Sequence, residues 1–131
     1  MAAEMDKIGI WSEVKLAIIR EYLPAYSKLV SGRGFTHSYI DGFAGYGVHE
    51  SRTTGEIVQG SPLIALNTQP PFRKYHFIDL NPEKAENLRL LTAGRADVSV
   101  HEGDCNEVLR RLLPNVRYDR FHRALCLLAG C

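Results

Sequence analysis

Apolar positions along this chain recur at two periods, and the places where the period changes mark its elements. From Trp11 to about Val30 the spacing is helical, with Val14, Ile18 and Leu29 marking one face and Ala17 and Ala25 beside it. Ser12 is the expected N-cap, because its hydroxyl can satisfy a free amide of the first turn. Pro24 lacks an amide donor and is expected to end or kink the helix. After a Ser31-Gly32-Arg33-Gly34 loop, His37 to Asp41 reads as a first strand that runs into a glycine-rich turn, Gly42 to Gly47. Val48 to Gly60 is polar and reads as a long loop. Ser61-Pro62 is a helix start, with serine as cap and proline at the first helical position. Tyr75 to Asp79 is a second strand, and Asn81-Pro82 starts a helix whose face is Ala85, Leu88 and Leu91, stopped by Gly94. Val98 and Val100 alternate in a third strand that reaches Gly103-Asp104. Asn106 starts a further helix with Val108, Leu109, Leu112 and Leu113, and Pro114-Asn115 breaks it. Arg123 to Leu128 is an apolar run of the kind found in a strand buried on both faces. The order is one helix, then β-α-β-α-β-α-β. It predicts an α/β, Rossmann-like fold with a parallel sheet and flanking helices.

Composition narrows the picture. The chain has 131 residues, enough for a single domain spanning 1–131. A net charge of +1 gives no argument for a nucleic-acid or membrane surface, although nucleic acid is not excluded as a partner. No apolar run approaches the roughly 20 residues a spanning helix needs, and the first residues lack the apolar core of a secretory signal. Cys105, Cys126 and Cys131 are odd in number and lack CxxC spacing, which argues against a disulfide framework and a zinc site. The five histidines are scattered without metal-ligand spacing. A cytoplasmic, metal-free protein is expected.

The chemistry is concentrated where the strands end. In an open α/β sheet, ligands sit outside the carboxyl ends of the strands. Strand one delivers Asp41 and the turn Gly42-Phe43-Ala44-Gly45-Tyr46-Gly47, strand two Asp79 and Leu80, and strand three Gly103, Asp104 and Cys105. Any one such acid can be a turn former or helix cap; three on one rim beside a glycine turn argue for a ligand. A dinucleotide fingerprint is GxGxxG with an acid about 20 residues on, and the spacing here departs from it. Asp41-x-Phe43-x-Gly45-x-Gly47 instead resembles the first-strand motif of many S-adenosylmethionine (SAM) methyltransferases. Asp79 is then the acceptor for two ribose hydroxyls, and the glycine turn lets the backbone lie close to the methionine part. Asp104 can accept from the adenine amino group while the Cys105 amide donates to a ring nitrogen. Asp41 can attract the sulfonium or hold the ammonium through water. Asp104 and Asn106 have an equal alternative as helix caps. The expected cofactor-binding set is Asp41, Gly42, Phe43, Ala44, Gly45, Gly47, Asp79, Leu80, Asp104 and Cys105.

A wider resemblance adds to this. Trp11, Lys15, Tyr22, the segment Tyr39 to Gly47, Gly60-Ser61-Pro62-x-x-Ala65-Leu66, Phe77-Ile78-Asp79, Gly103-Asp104-Cys105-Asn106 and Arg123 to Leu128 are similar to the three-Cys-motif partner family, TcmP. The resemblance spans residues 11 to 128. It implies a bacterial, cytoplasmic protein with a class I methyltransferase-like sheet of strand order 3-2-1-4, SAM as cofactor, and a three-Cys-motif, radical-SAM-like protein as partner. A non-catalytic partner module of the same fold is the alternative it leaves open. After the last strand the family pattern continues with Asp-Pro and an aromatic-Gly turn, where this chain has Ala129-Gly130-Cys131. The chain is therefore expected to be an incomplete, amino-terminal part of the domain, with the cofactor side, without the substrate side, and inactive alone. No catalytic residue is assigned. An uncovered strand-four edge at Leu125 to Leu128 is expected to promote self-association.

Other residues have blander readings. Trp11 and Lys15 share a helix face; Lys15 could reach a cofactor carboxylate, but a packed tryptophan and a surface lysine are favoured. His76 reads as a strand-face residue. Arg110, Arg111, Arg117, Arg120 and Arg123 make a basic region, read as a solvated surface. The loop 48–60 is long for a βα connection and suits a lid or a partner-binding loop.

Overall fold

The computed structural model of the chain describes residues 6–51 and 54–128. Ala129, Gly130 and Cys131, where the family pattern is departed from, lie outside the described residues. Four strands form a parallel sheet: β2 (Thr36–Asp41), β5 (Lys74–Asp79), β6 (Val98–Glu102) and β7 (His122–Leu127), in the order β6-β5-β2-β7. Counted among the four strands expected from the sequence, this is the order third, second, first, fourth; numbered through all seven strands the figures differ from 3-2-1-4, because three further strands enter the count. Three short strands not expected from the sequence, β1 (Asp6–Ile8), β3 (Val48–Ser51) and β4 (Ile57–Gln59), are interleaved and form a separate sheet, β1-β3-β4. Within it β1 runs parallel to β3, and β4 antiparallel to it. The segment 48–60 thus holds a strand pair where a loop was expected. Its strands have only three or four residues, many of them polar, too short for an alternation to stand out.

Helices α1 (Ile10–Gly32), α2 (Ser61–Leu66), α3 (Pro82–Leu91) and α4 (Cys105–Leu112) join these strands, with 3₁₀ turns at Leu113–Asn115 and Tyr118–Arg120. Strand alternation sends Tyr39, Tyr75 and Phe77 to one face, where they pack with Phe72, with Leu16 and Leu23 of α1, with Ile64 and Ala65 of α2, and with Leu88 of α3. The other face carries Ile40 and Ile78 against Val108 of α4. The aromatic rings on the first face meet edge-on, Tyr39 against Phe72 and against Phe77.

Helix α1 departs from expectation in three ways. Its N-cap is Gly9, without a side-chain bond, rather than Ser12. It continues through Pro24 to Gly32. A mid-helix proline costs about 3 kcal/mol, and burial of Leu23 just before it and of Ser27 and Val30 on the following turns offsets it. It also turns its other stripe inward: Leu16, Leu23, Ser27 and Val30 are buried, whereas Val14, Ile18 and Leu29 are exposed. The buried stripe was hidden because it contains a serine. Ser27 Oγ bonds both His37 Nε2, at 2.6 Å, and the Pro70 carbonyl, so this hydroxyl is satisfied inside. Among the described residues no helix is long and apolar enough to cross a membrane.

Candidate functional site

The carboxyl ends of β2, β5 and β6 form one rim. Asp41 pairs in register with Phe77, and Asp79 with Glu102; the Asp79 carbonyl accepts from the Gly103 amide at 3.0 Å. The glycine turn is strapped across this rim by backbone bonds, with the Gly42 amide on the Leu127 carbonyl at 2.9 Å and the Ala44 amide on Ile78 at 3.0 Å. Gly45 and Gly47 have φ of 73° and 93°, where a side chain is strained. At Gly47 a Cβ would also lie 2.9 Å from Leu91 Cδ1, and at Gly42 it would lie 2.7 Å from Cys105 Sγ. Gly42 and Cys105 are therefore in contact.

Asp79 closes the turn. One carboxylate oxygen accepts from the Gly45 amide and the other from the Asn81 amide, both at 2.9 Å. Asn81 in turn caps α3 by accepting from the Glu83 and Lys84 amides. The Asn87 side-chain amide donates to the Tyr46 carbonyl at 2.7 Å and ties α3 to the same turn. Asp79 is half-buried, and its neighbour Leu80 is 71% exposed. Phe43 is 50% exposed on the turn.

Asp41 has a different environment. It is only 1% exposed. Its carboxylate accepts from Tyr39 Oη at 2.9 Å, from Ser61 Oγ, and from the Phe43 amide at 3.3 Å. Burial, opposed by these donors and reinforced by nearby Asp79, raises its pKa to about 6. The structure gives Asp41 the task of holding the turn and the start of α2. Ser61 is its partner rather than the cap of α2; the cap position is Gly60. Sequence reasoning missed Tyr39 and Ser61 as members of this cluster. The signal was there in Tyr39, two residues before Asp41 on the same strand face.

Asp104 is exposed and is the N-cap of α4, accepting from the Glu107 amide at 3.1 Å. The helix starts at Cys105, one residue before the expected Asn106. The Cys105 thiol is raised, first by burial and then by Asp104 and Asp41. Trp11, expected to pack on the domain, is 79% exposed, and Lys15 is exposed too. His76 does sit on a strand face, stacked on His101 with Nδ1 3.0 Å from its Nε2. In the basic region Arg117 pairs with Asp119, and Arg123 stacks on Phe35 and Tyr118. Among the described residues no group of three or more His, Cys, Asp or Glu could hold a metal ion.

The fold and this rim define a mixed α/β domain whose four-stranded parallel sheet is compatible with a Rossmann-like architecture. No family model matches the chain, and no curated protein matches it. Among solved structures, the crystal structure of protein LPL1258 from Legionella pneumophila str. Philadelphia 1, family model DUF519, is similar with a TM-score of 0.53 at 16% identity. The match covers 73% of this chain and 51% of that one, so the chain spans about half the length of that protein. Likeness at this identity carries the fold alone.

Proposed function

We propose that the rim of the parallel sheet binds the adenosyl cofactor SAM, and that the chain carries the cofactor-binding part of a methyltransferase-like protein similar to the three-Cys-motif partner family. One observation carries this reading: the glycine turn and the Asp79 carboxylate meet at the rim, through the Gly45 amide at 2.9 Å. Each Asp79 oxygen has one observed donor and keeps acceptor capacity. Two ribose hydroxyls need such a pre-oriented, half-exposed carboxylate. A purine ring needs apolar surface, and Phe43 and Leu80 leave theirs open to solvent beside Asp41 and Asp79 in the chain. The residues present thus fit the group. Asp79 would take the ribose, Phe43 and Leu80 the flat base, and the Gly45–Gly47 backbone the amino-acid tail. Asp104 and Cys105, after the end of β6, would take the adenine edge, with the Asp104 carboxylate shared with its cap bond. Asp41 positions the turn. SAM, when bound, supplies an electrophilic methyl group on a sulfonium; no residue is assigned to its transfer.

Calorimetric titration with S-adenosylhomocysteine tests the reading, with a nicotinamide dinucleotide as control. The homocysteine nucleoside should bind in preference to the dinucleotide. Asp79→Asn should weaken it by about tenfold or more, because a charge-assisted hydrogen bond contributes about 1.5–3 kcal/mol. Equal affinity in the wild type and the variant would remove Asp79 from the site.

A partner module of the same fold is the second reading, favoured by the exposed apolar stripe of α1, in which Val14, Ile18 and Tyr22 follow one another at four-residue spacing. For that reading, a three-Cys-motif protein is the partner to test in a pull-down against Ile18→Glu. Undiminished capture by the variant would reject the stripe.

A further inference from the structure

A cavity of about 300 Å³ opens over the amino-terminal half of the parallel strands, on the face that α4 covers only in part and away from the rim. Its floor is Ile40. Its polar lining is Ser38, Arg73, Lys74, His76, Asn115 and His122. Each of these side chains can donate a hydrogen bond, and no carboxylate lines the cavity. That composition is unlike a solvated surface of mixed charge.

No carboxylate of the described residues is held against the two cations of the cavity to neutralise them. Among the described residues neither Arg73 nor Lys74 forms an ion pair. Arg73 Nη1 faces His122 Nε2 at 3.5 Å, and Lys74 Nζ reaches only the Ala96 carbonyl, also at 3.5 Å. Ser38 and Lys74 are register partners on β2 and β5, and His122 opens β7, so three adjacent strands fix these donors. We propose that this cavity is a binding site for a phosphate group, independent of the cofactor rim. A planar guanidinium and an ammonium on a rigid sheet, with neutral hydroxyl and amide donors around them, suit a tetrahedral oxyanion. Burial is the main reason that the His76 pKa falls to about 4 and that the His101 pKa falls too; the smaller charge effects of Lys74 on both rings and of Arg111 on His101 act in the direction of a positive field. A volume of this size takes a phosphate ester as well as the free ion.

The test is titration of the folded chain at pH 7 with inorganic phosphate, with a nucleoside monophosphate and with a single-stranded RNA oligonucleotide. Imidazole proton signals report which site responds. The His76 and His122 signals should move with all phosphate ligands that bind, while His49, which lies beside the glycine turn, stays put. Arg73→Gln combined with Lys74→Gln should weaken binding by about a hundredfold, about tenfold for each charge-assisted contact. Tighter binding of RNA with steep salt dependence assigns the site to a nucleic-acid backbone. Tighter binding of the monophosphate assigns it to a small ester; either upholds the site. Unmoved His76 and His122 signals at millimolar phosphate, or undiminished affinity in the folded double variant, overturns it. If the double variant does not fold, the wild-type imidazole signals decide.

Discussion

Asp41 makes the stability of this chain fall as pH rises, which is opposite to the usual behaviour of a buried, hydrogen-bonded carboxylate. Its folded pKa of about 6 exceeds the ordinary value of 3.8 because burial outweighs the Ser61, Tyr39 and Phe43 donors. The folded chain therefore holds this proton more tightly than the unfolded chain. The contribution to stability is fully present below about pH 3.8 and is lost as pH rises through about 6. A tenfold change in proton affinity is worth about 1.4 kcal/mol, so ionising Asp41 in the fold costs about 3 kcal/mol. Asp41→Asn stays neutral at every pH. Its carbonyl oxygen can still accept from Tyr39 and Ser61, while the Phe43 amide loses an acceptor at 3.3 Å, a loss of about 1 kcal/mol. Wild type should be more stable than the variant by about 1 kcal/mol at pH 4 and less stable by about 2 kcal/mol at pH 7. Urea unfolding of both proteins, followed by circular dichroism from pH 4 to 7, measures this difference, in which the other titrations cancel. A difference that is flat with pH, or that moves toward the wild type as pH rises, would refute the reasoning.

Two further outcomes are expected. Ser27→Ala should destabilise the chain by about 1–3 kcal/mol, because His37 and the Pro70 carbonyl both lose their buried partner; unchanged urea midpoints would contradict this. The His76 imidazole should titrate near pH 4, and His101→Ala should raise that midpoint, since burial first and His101 second hold it down; a wild-type midpoint near 6.5 would contradict it.

Much of the architecture was legible because its signals are local. Asn81-Pro82 announced a capped helix, and Asn81 does accept from two amides of its first turn. The acids ending the strands were legible for a similar reason, since alternation in Tyr75 to Asp79 shows where the strand stops. The buried face of α1 was not. Two apolar stripes compete on that helix, and the choice is made by Ser27 meeting His37 and Pro70, which are remote in sequence. The β1-β3-β4 sheet escaped notice because strands of three or four residues carry no period. Within the site, Asp79 was read as facing a ligand, yet it also binds Gly45 from across the turn. Asp41 was read as electrostatic, whereas Ser61 and Tyr39 enclose it. The Tyr39 contact follows from the two-residue spacing on β2, whereas the Gly45 bond needs β2 and β5 side by side and the Ser61 bond needs the start of α2 beside the end of β2.

The central claim, an adenosyl cofactor at the sheet rim, is tested most directly by mapping amide chemical shifts of the isotopically labelled chain during titration with S-adenosylhomocysteine. The account predicts saturable shifts centred on Phe43, Gly45, Gly47, Asp79, Leu80 and Cys105, with the His76 and His122 amides unmoved. Absence of shifts at millimolar ligand, or shifts confined to residues away from the glycine turn and Asp79, would contradict it.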